Sequence, residues 1–148
     1  MIGPCLVDTN VLVYAYDRSE PHKMEVSVNL LDQLALSGRG VLSLQILAEF
    51  FVAVTKKIAH PLSAAVAEER VLNYLLAWRT VGITNMVLRE ALRGVREHRL
   101  SFWDAQVWAA ARLNQIPTIF SEDFSHRSTV EGVQFLNPFD PGFTLSKT

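Results

Sequence analysis

Short apolar runs alternate with longer stretches of mixed polarity along this chain of 148 residues. Apolar runs of strand length occur at residues 5–7, 41–44, 80–84 and 118–120, with a fifth at 133–136. Between them, apolar residues recur three or four positions apart, which is the spacing of one helix face. This spacing predicts helices at 11–16, 23–37, 45–57, 63–78, 85–98 and 101–114.

Strands that alternate with helices predict an α/β fold. Because consecutive parallel strands need long, right-handed connections, helices should cover both faces of the sheet. We therefore expect a three-layer α/β/α domain with a central parallel sheet of four or five strands. The chain has no repeat, low-complexity tract or linker, so residues 1–148 should form a single domain. Proline and glycine near the C-terminus predict an irregular tail at about 138–148.

Composition limits the location and the partners of the protein. The formal net charge is −1, so any nucleic-acid binding must come from a local basic patch. Cys5 is the only cysteine, which excludes a disulfide within the chain and favours a reducing compartment. The N-terminus lacks the basic flank and apolar stretch of a signal peptide, and no apolar run is long enough to span a membrane. We expect a cytoplasmic protein.

Four acidic residues lie where strands end and helices begin. Asp8 and Asp123 follow predicted strands, whereas Glu49 and Asp104 lie in the early turns of predicted helices. Each has an ordinary explanation: a helix cap, a solvated stripe, a capping box with Ser101, or a turn. However, these strand ends and helix starts share one edge of the predicted sheet, where ligands bind in open α/β folds.

Four converging carboxylates would repel one another unless a cation neutralised them. Ligation by oxygen alone suits a hard ion such as Mg²⁺ or Mn²⁺. The four histidines are scattered and have no zinc-like spacing. The sequence therefore favours a divalent-metal site at this edge of the sheet.

Four segments that contain these acids resemble the PIN-domain nucleases, and most closely the VapC-type toxins of toxin–antitoxin pairs. They come in the family's order and span most of the chain: residues 6–12 (LVDTNVL), 48–50 (AEF), 101–105 (SFWDA) and 121–124 (SEDF). The resemblance implies a metal-dependent endoribonuclease with a PIN-like fold. It also implies a homodimer and a small antitoxin whose tail covers the acidic pocket.

The resemblance assigns roles to individual residues. It carries the catalytic and metal-ligand role onto all four acids, Asp8, Glu49, Asp104 and Asp123. Within this set Glu49 is either a ligand or the group that orients the attacking water. Asn10 and Ser121 support the metal site, and Glu122 could substitute for or assist Asp123.

A nuclease also needs cations that attract RNA. Arg89, Arg93 and Arg96 share one face of the 85–98 helix, and Lys56 ends the helix that carries Glu49. We expect the apolar face of the 85–98 helix to be Leu88, Ala91, Leu92 and Val95. A solvated basic face explains these arginines about as well as RNA binding does. By the same reasoning Trp78 and Trp108 should pack in the core, while Trp103 is placed to stack on a base.

Three other functions remain open on the sequence alone. A haloacid-dehalogenase-like phosphotransferase would use Asp8 as its nucleophile, but Asn10 stands where that family has a second acid. A catalytically silent α/β interaction module would use the acids as caps only. A housekeeping RNA-processing PIN nuclease would share the chemistry without an antitoxin. The sequence does not indicate which RNA is cleaved, or whether one or two metal ions are bound.

Overall fold

The computed structural model describes residues 3–145, which form one six-stranded sheet flanked by helices. The strands are β1 Cys5–Val7, β2 Gly40–Ser43, β3 Arg79–Val81, β4 Thr118–Phe120, β5 Thr129–Val130 and β6 Val133–Leu136. Their order in the sheet is β3-β2-β1-β4-β6-β5. Every neighbouring pair is parallel except β5 and β6, which are antiparallel. The predicted α/β class and parallel sheet are confirmed.

The sheet has one strand more than the four or five that the sequence predicted. The additional strand, β5, has only two residues, so it is too short to show an alternating pattern. A tight turn joins it to β6, with positive φ at Glu131 (46°) and Gly132 (82°). β3 is also shorter than predicted and ends at Val81, because residues 82–84 lead into the cap of the next helix.

The helices are α1 Thr9–Tyr14, α2 Pro21–Ser37, α3 Leu44–Lys56, α4 Ala64–Ala77, α5 Asn85–His98 and α6 Phe102–Leu113. The chain moves from β1 to β2 to β3 in one direction across the sheet, then returns past β1 to β4. Right-handed connections therefore place α1–α4 on one face of the sheet and α5–α6 on the other. The helix contacts agree, since α1, α2, α3 and α4 pack together and α5 packs on α6.

Side-chain caps fix the starts of α1, α3, α4, α5 and α6. The predicted caps Ser63 and Ser101 accept hydrogen bonds from the backbone N–H groups of Val66 (3.2 Å) and Asp104 (3.3 Å). The first helix begins earlier than predicted, at Thr9, because Asp8 itself is the N-cap. Each cap satisfies a backbone donor that the helix cannot pair internally.

The apolar face of α5 differs from the prediction. Ala91 is buried as expected, but its buried companions are Val87 and Gly94. A Cβ at Gly94 would lie 2.8 Å from the ring of Trp108, so only glycine allows α5 and α6 this close approach. As a result, α5 is rotated and three predicted core residues are exposed at 42%, 53% and 38%: Leu88, Leu92 and Val95.

The core and the C-terminal region follow the expected pattern. Trp108 is fully buried, as predicted, and Trp78 packs closely over Gly40. Residues 138–145 form turns without helix or strand, and residues 146–148 of the predicted tail lie outside the described range. Phe139 and Phe143 pack against the core. No helix within residues 3–145 is long and apolar enough to cross a membrane.

Candidate active site

Asp8 occupies the point where the central strand gives way to a helix. β1 ends at Val7, and the backbone N–H of Asp8 donates to the carbonyl oxygen of Phe120 in the neighbouring strand (2.9 Å). The Asp8 Oδ1 atom accepts a hydrogen bond from the N–H of Thr9 at 2.8 Å. The side chain is 5% exposed, so it is a buried carboxylate aimed along the carboxyl edge of the sheet.

Three of the four acids that the sequence singled out meet at this edge. One carboxylate oxygen each from Asp8, Asp104 and Asp123 lie within 4.8 Å of one another. Asp104 reaches the group from the first turn of α6, and Asp123 from the loop after β4. Oxygens this close can coordinate one hard cation.

The electrostatics of the group favour a cation. The pKa of Asp8 is raised to about 7, first by burial and then by the charges of Asp123 and Asp104. Hydrogen bonds from Ser121 and Thr9 act in the opposite direction. The pKa of Asp123 is also raised, first by burial and then by Asp104. A cation bound between the three carboxylates would offset the burial and the like charges that disfavour their ionised forms.

Ser121 and Asn10 connect two of these acids. The Ser121 hydroxyl donates to Asp8 Oδ2 (2.8 Å) and accepts hydrogen bonds from the N–H of Asp123 (3.1 Å) and from Asn10 Nδ2 (3.4 Å). Asn10 Nδ2 also donates to Asp123 Oδ2 at 3.0 Å. Both residues that the sequence placed in a supporting position therefore hold carboxylates of the group directly.

Glu49 lies in the same cavity but outside the group of three. Its Oε1 accepts a hydrogen bond from Thr9 Oγ1 (2.7 Å), and its Oε2 accepts one from Gln45 Nε2 (3.3 Å). Both carboxylate oxygens are therefore held by neighbours on α1 and α3. This position differs from that of the three aspartates and suits a group that acts beside a metal rather than on it.

A family model for the PIN domain matches residues 5–131 of the chain. The chain belongs to the PIN domain family. The matched range contains all four acids, and family membership replaces the phosphotransferase alternative. A comparison with curated proteins found no match.

Solved structures share the fold of this PIN domain at low sequence identity. A toxin–antitoxin complex from Klebsiella pneumoniae has a TM-score of 0.67 and 19% identity, over 91% of this chain and 98% of that one. VapC20 from Mycobacterium tuberculosis, described as a toxin that cleaves the sarcin–ricin loop, has a TM-score of 0.61 and 19% identity, over 80% and 91%. VapBC2 from Rickettsia felis, bound to a promoter DNA fragment, has a TM-score of 0.61 and 16% identity, over 88% and 96%. These likenesses establish the shared fold.

Glu122 does not face the acids of this PIN domain, contrary to the expectation that it could substitute for Asp123. Its Oε1 accepts a hydrogen bond from the Tyr14 hydroxyl (2.6 Å), and its Oε2 pairs with Lys23 Nζ (3.0 Å). These contacts turn the side chain towards α1 and α2. Asp123 is thus the acid of this loop that belongs to the site.

The sequence missed a pair of buried amides behind Glu49. Gln45 Nε2 donates to Glu49 and also to the carbonyl oxygen of Trp103 (3.2 Å), while Gln45 Oε1 accepts from Gln106 Nε2 (2.9 Å). Gln45 and Gln106 are 5% and 4% exposed. The available signal was the spacing of four residues between Gln45 and Glu49, together with a glutamine inside the apolar run of α6.

The acids of the PIN domain line a cavity of about 420 Å³. Its walls also include Asp17, which the sequence did not single out, and the exposed Trp103. None of the expected RNA-binding cations in the described residues lines this cavity: Arg89, Arg93, Arg96 and Lys56. Arg93 instead pairs with Glu90 (2.8 Å), Glu97 (3.3 Å) and Glu131 (2.8 Å).

Proposed function

We propose that the protein is a metal-dependent endoribonuclease that hydrolyses RNA phosphodiester bonds. The observation that carries this proposal is the meeting of Asp8, Asp104 and Asp123 within 4.8 Å around a buried carboxylate. Membership of the PIN domain family supports it, as does the M. tuberculosis structural neighbour described as a toxin that cleaves the sarcin–ricin loop. Asp8 caps α1, but that role does not account for the proximity of Asp104 and Asp123 to it.

Asp8, Asp104 and Asp123 would hold Mg²⁺ or Mn²⁺. The donor set fits these ions because it consists of carboxylate oxygens, and a cation would offset the burial and the like charges that raise the pKa of Asp8. A bound ion would lower the pKa of a water molecule and neutralise the phosphate oxygens.

The residues of the chain orient the reacting groups. Ser121 and Thr9 fix both oxygens of Asp8, and Asn10 fixes Asp123. Glu49, held by Thr9 and Gln45, would accept a hydrogen bond from the attacking water and take its proton. The low exposure of Asp8 keeps that carboxylate in a poorly hydrated setting, where its interaction with a cation is stronger than in water.

The same chain is proposed to act as the toxin of a type II toxin–antitoxin pair. The structural neighbour from K. pneumoniae is described as a toxin–antitoxin complex, which supports a small antitoxin partner. An arginine from that partner would suit the cavity, since one guanidinium pairs with several carboxylates. An apolar groove of about 570 Å³ between α3 and α4, lined by Leu47, Phe51 and Val71, also supports a protein partner.

A homodimer in the cytoplasm completes this proposal. The exposed stripe of Leu88, Leu92 and Val95 on α5 is an apolar surface that a second copy could cover. Sedimentation at micromolar concentration should show a dimer, and Leu92→Glu should produce monomers because it would bury a charge at the interface. A monomeric wild type would contradict this part of the proposal.

The proposed activity is tested with purified protein and cellular RNA. We expect cleavage with Mg²⁺ or Mn²⁺ and none in chelator. Asp8→Asn and Asp104→Asn should each reduce cleavage by more than about 100-fold, beyond the range for residues outside the ligand shell. Asp32→Asn, on the exposed surface of α2, is the matched control and should remain active. Full activity of both site variants would contradict the assignment.

Expression in cells tests the toxin role and locates the cleaved RNA. Wild-type protein should arrest growth, the Asp8→Asn variant should not, and coexpression of a neighbouring gene should relieve the arrest. Mapping of new RNA ends in the two cultures would identify the substrate. Cleavage without growth arrest would favour the housekeeping RNA-processing nuclease.

A further inference from the structure

An apolar recess adjoins the acidic cavity. It has a volume of about 520 Å³, which lies in the range of small-molecule pockets. It shares Thr9, Gln45, Glu49, Ala53 and Trp103 with the cavity, so the two form one continuous depression. Its remaining lining is mostly apolar and comes from α3 and from the loop that precedes α5.

The recess exposes large apolar side chains to solvent. Val52 is 45% exposed, Ile83 is 51% exposed and Trp103 is 59% exposed. Exposed apolar surface beside a site is typical of ligand recognition. Lys57 also lines the recess and is exposed, which places a cation beside the apolar walls. The apolar lining of the recess suits contact with a nucleobase, and the cation of Lys57 suits contact with the phosphate attached to it.

Trp103 is held firmly for an exposed residue. Its carbonyl oxygen accepts a hydrogen bond from the buried Gln45, and its ring packs edge-on against Phe102 with centroids 4.9 Å apart. The next residue, Asp104, belongs to the carboxylate group. The backbone hydrogen bond and the ring contact hold the indole beside the acids, which lowers the ordering cost of stacking a base on it.

We propose that this recess binds one nucleobase of the RNA substrate, adjacent to the scissile phosphate, and that the base stacks on Trp103. Lys57 contacts the phosphate of the same nucleotide. The inference rests on the proposed nuclease function and adds a residue that determines where the strand is positioned. Trp103 is a binding residue and takes no part in bond cleavage.

The test is a double-mutant cycle between the protein and its RNA. Once the cleavage site has been mapped, a short single-stranded RNA of that sequence is made with one abasic nucleotide at each position flanking the scissile phosphate. The value of kcat/KM is measured for wild type, Trp103→Ala and Trp103→Phe. Leu76→Ala, at an 89% exposed position on α4 outside the recess, is the control.

We expect one abasic position to lower the wild-type kcat/KM by about 5- to 150-fold, the range for loss of one stacked base. Trp103→Ala should lose a similar factor on intact RNA and nothing further at that position, because both changes remove the same stacking interaction. Trp103→Phe should retain part of the difference in kcat/KM between intact and abasic RNA, and Leu76→Ala should retain all of it.

A binding measurement gives a readout independent of cleavage. In the Asp8→Asn background, intact RNA should change the tryptophan fluorescence, and RNA abasic at the critical position should change it much less. The signal should come from Trp103 and be lost in Trp103→Phe, since Trp108 is fully buried and Trp78 packs over Gly40 outside the recess. Abasic penalties that are equal in wild type and Trp103→Ala would overturn the inference and leave the nuclease proposal intact. A wild type that cleaves no RNA would overturn both.

Discussion

Ser121 donates a hydrogen bond to Asp8 Oδ2 at 2.8 Å, although the two residues are 113 positions apart in the chain. Their proximity follows from the sheet, because β1 and β4 are parallel neighbours in which Val7 pairs with Phe120. The next residue of each strand must then lie at the same edge. A hydroxyl can donate one hydrogen bond, and Ser121 donates it to Asp8. The Ser121 oxygen accepts hydrogen bonds from the backbone N–H of Asp123 and from the side-chain amide of Asn10.

Replacing Ser121 with alanine should therefore weaken the site without removing a carboxylate. Asp8 Oδ2 would lose its donor, and the Asp123 loop would lose its acceptor. We expect Ser121→Ala to reduce kcat/KM for RNA by about 10- to 100-fold, with part of the loss recovered at higher Mg²⁺. Titration of Mg²⁺ against cleavage rate measures this effect. Ser125→Ala, at an exposed position of the same loop, is the control. An unchanged Mg²⁺ dependence in Ser121→Ala would mean that the Ser121 hydrogen bonds do not support metal binding.

Metal binding should also be visible without RNA. An ion that binds only the folded state at 100 times its Kd stabilises by about 2.7 kcal/mol, which for a chain of this size raises Tm by roughly 5–10 °C. Asp8→Asn should lose this response. Its Tm without metal should be no lower than that of wild type, since burial and like charges already disfavour the Asp8 carboxylate. Scanning calorimetry with Mg²⁺ and in chelator measures these Tm values. An equal rise in Tm with Mg²⁺ in both proteins would exclude Asp8 as a ligand.

The strand ends and the first turns of helices could be located from the sequence, and with them Asp8, Asp104 and Asp123. Side-chain contacts between different helices and strands could not be located from the sequence. The position of Glu49 outside the carboxylate group depends on Thr9, which belongs to a different helix, as well as on Gln45 in its own helix. The exposure of Leu92 depends on the close approach that Gly94 allows. A periodicity of 3.6 residues identifies an amphipathic helix, but the rotation of that helix against its partner is set by residue size.

Glu131 should make acid stability depend on a cluster remote from the carboxylate group. It accepts hydrogen bonds from Arg93 and pairs with His98 (2.5 Å), and these contacts, with Arg93 contributing most, lower its pKa to about 2. A pKa lowered by folding means that the ionised form stabilises the fold above about pH 4.5. That contribution is lost as the pH falls towards about 2.

The comparison of wild type with Glu131→Gln measures this contribution. The variant should have a lower urea midpoint at about pH 7, and the difference should shrink as the pH falls from about 4.5 to about 3. Glu97→Gln, at a more exposed partner of Arg93, should show a smaller difference. A difference in urea midpoint that stays constant across this pH range would mean that the charge of Glu131 does not contribute to the stability of the fold.

The cations on α5 and at the end of α3 remain the proposed path for RNA, but their surroundings differ. Arg93 is paired with three glutamates, so RNA would have to displace existing ion pairs to use it. Arg89 and Arg96 are exposed, with side-chain contacts to Asn85 and Glu97 respectively, and Lys56 is exposed at the end of α3. Contact with a polyanion therefore costs less at these three positions than at Arg93.

Neutralising Arg89 and Arg96 together should weaken RNA binding and lower the log–log salt slope by about one for each phosphate that is no longer neutralised. The maximum cleavage rate at saturating RNA should change little, because these groups bind ground and transition states alike. Arg93→Gln should instead lower the urea midpoint, since Glu90 and Glu131 lose a partner.

RNA binding by these variants is measured in the Asp8→Asn background over a range of salt concentrations. Arg79→Gln is the control, because Arg79 begins β3 and so lies at the opposite edge of the sheet from the acids. Unchanged binding and slope in the double variant would assign this arginine face to a protein partner or to solvent.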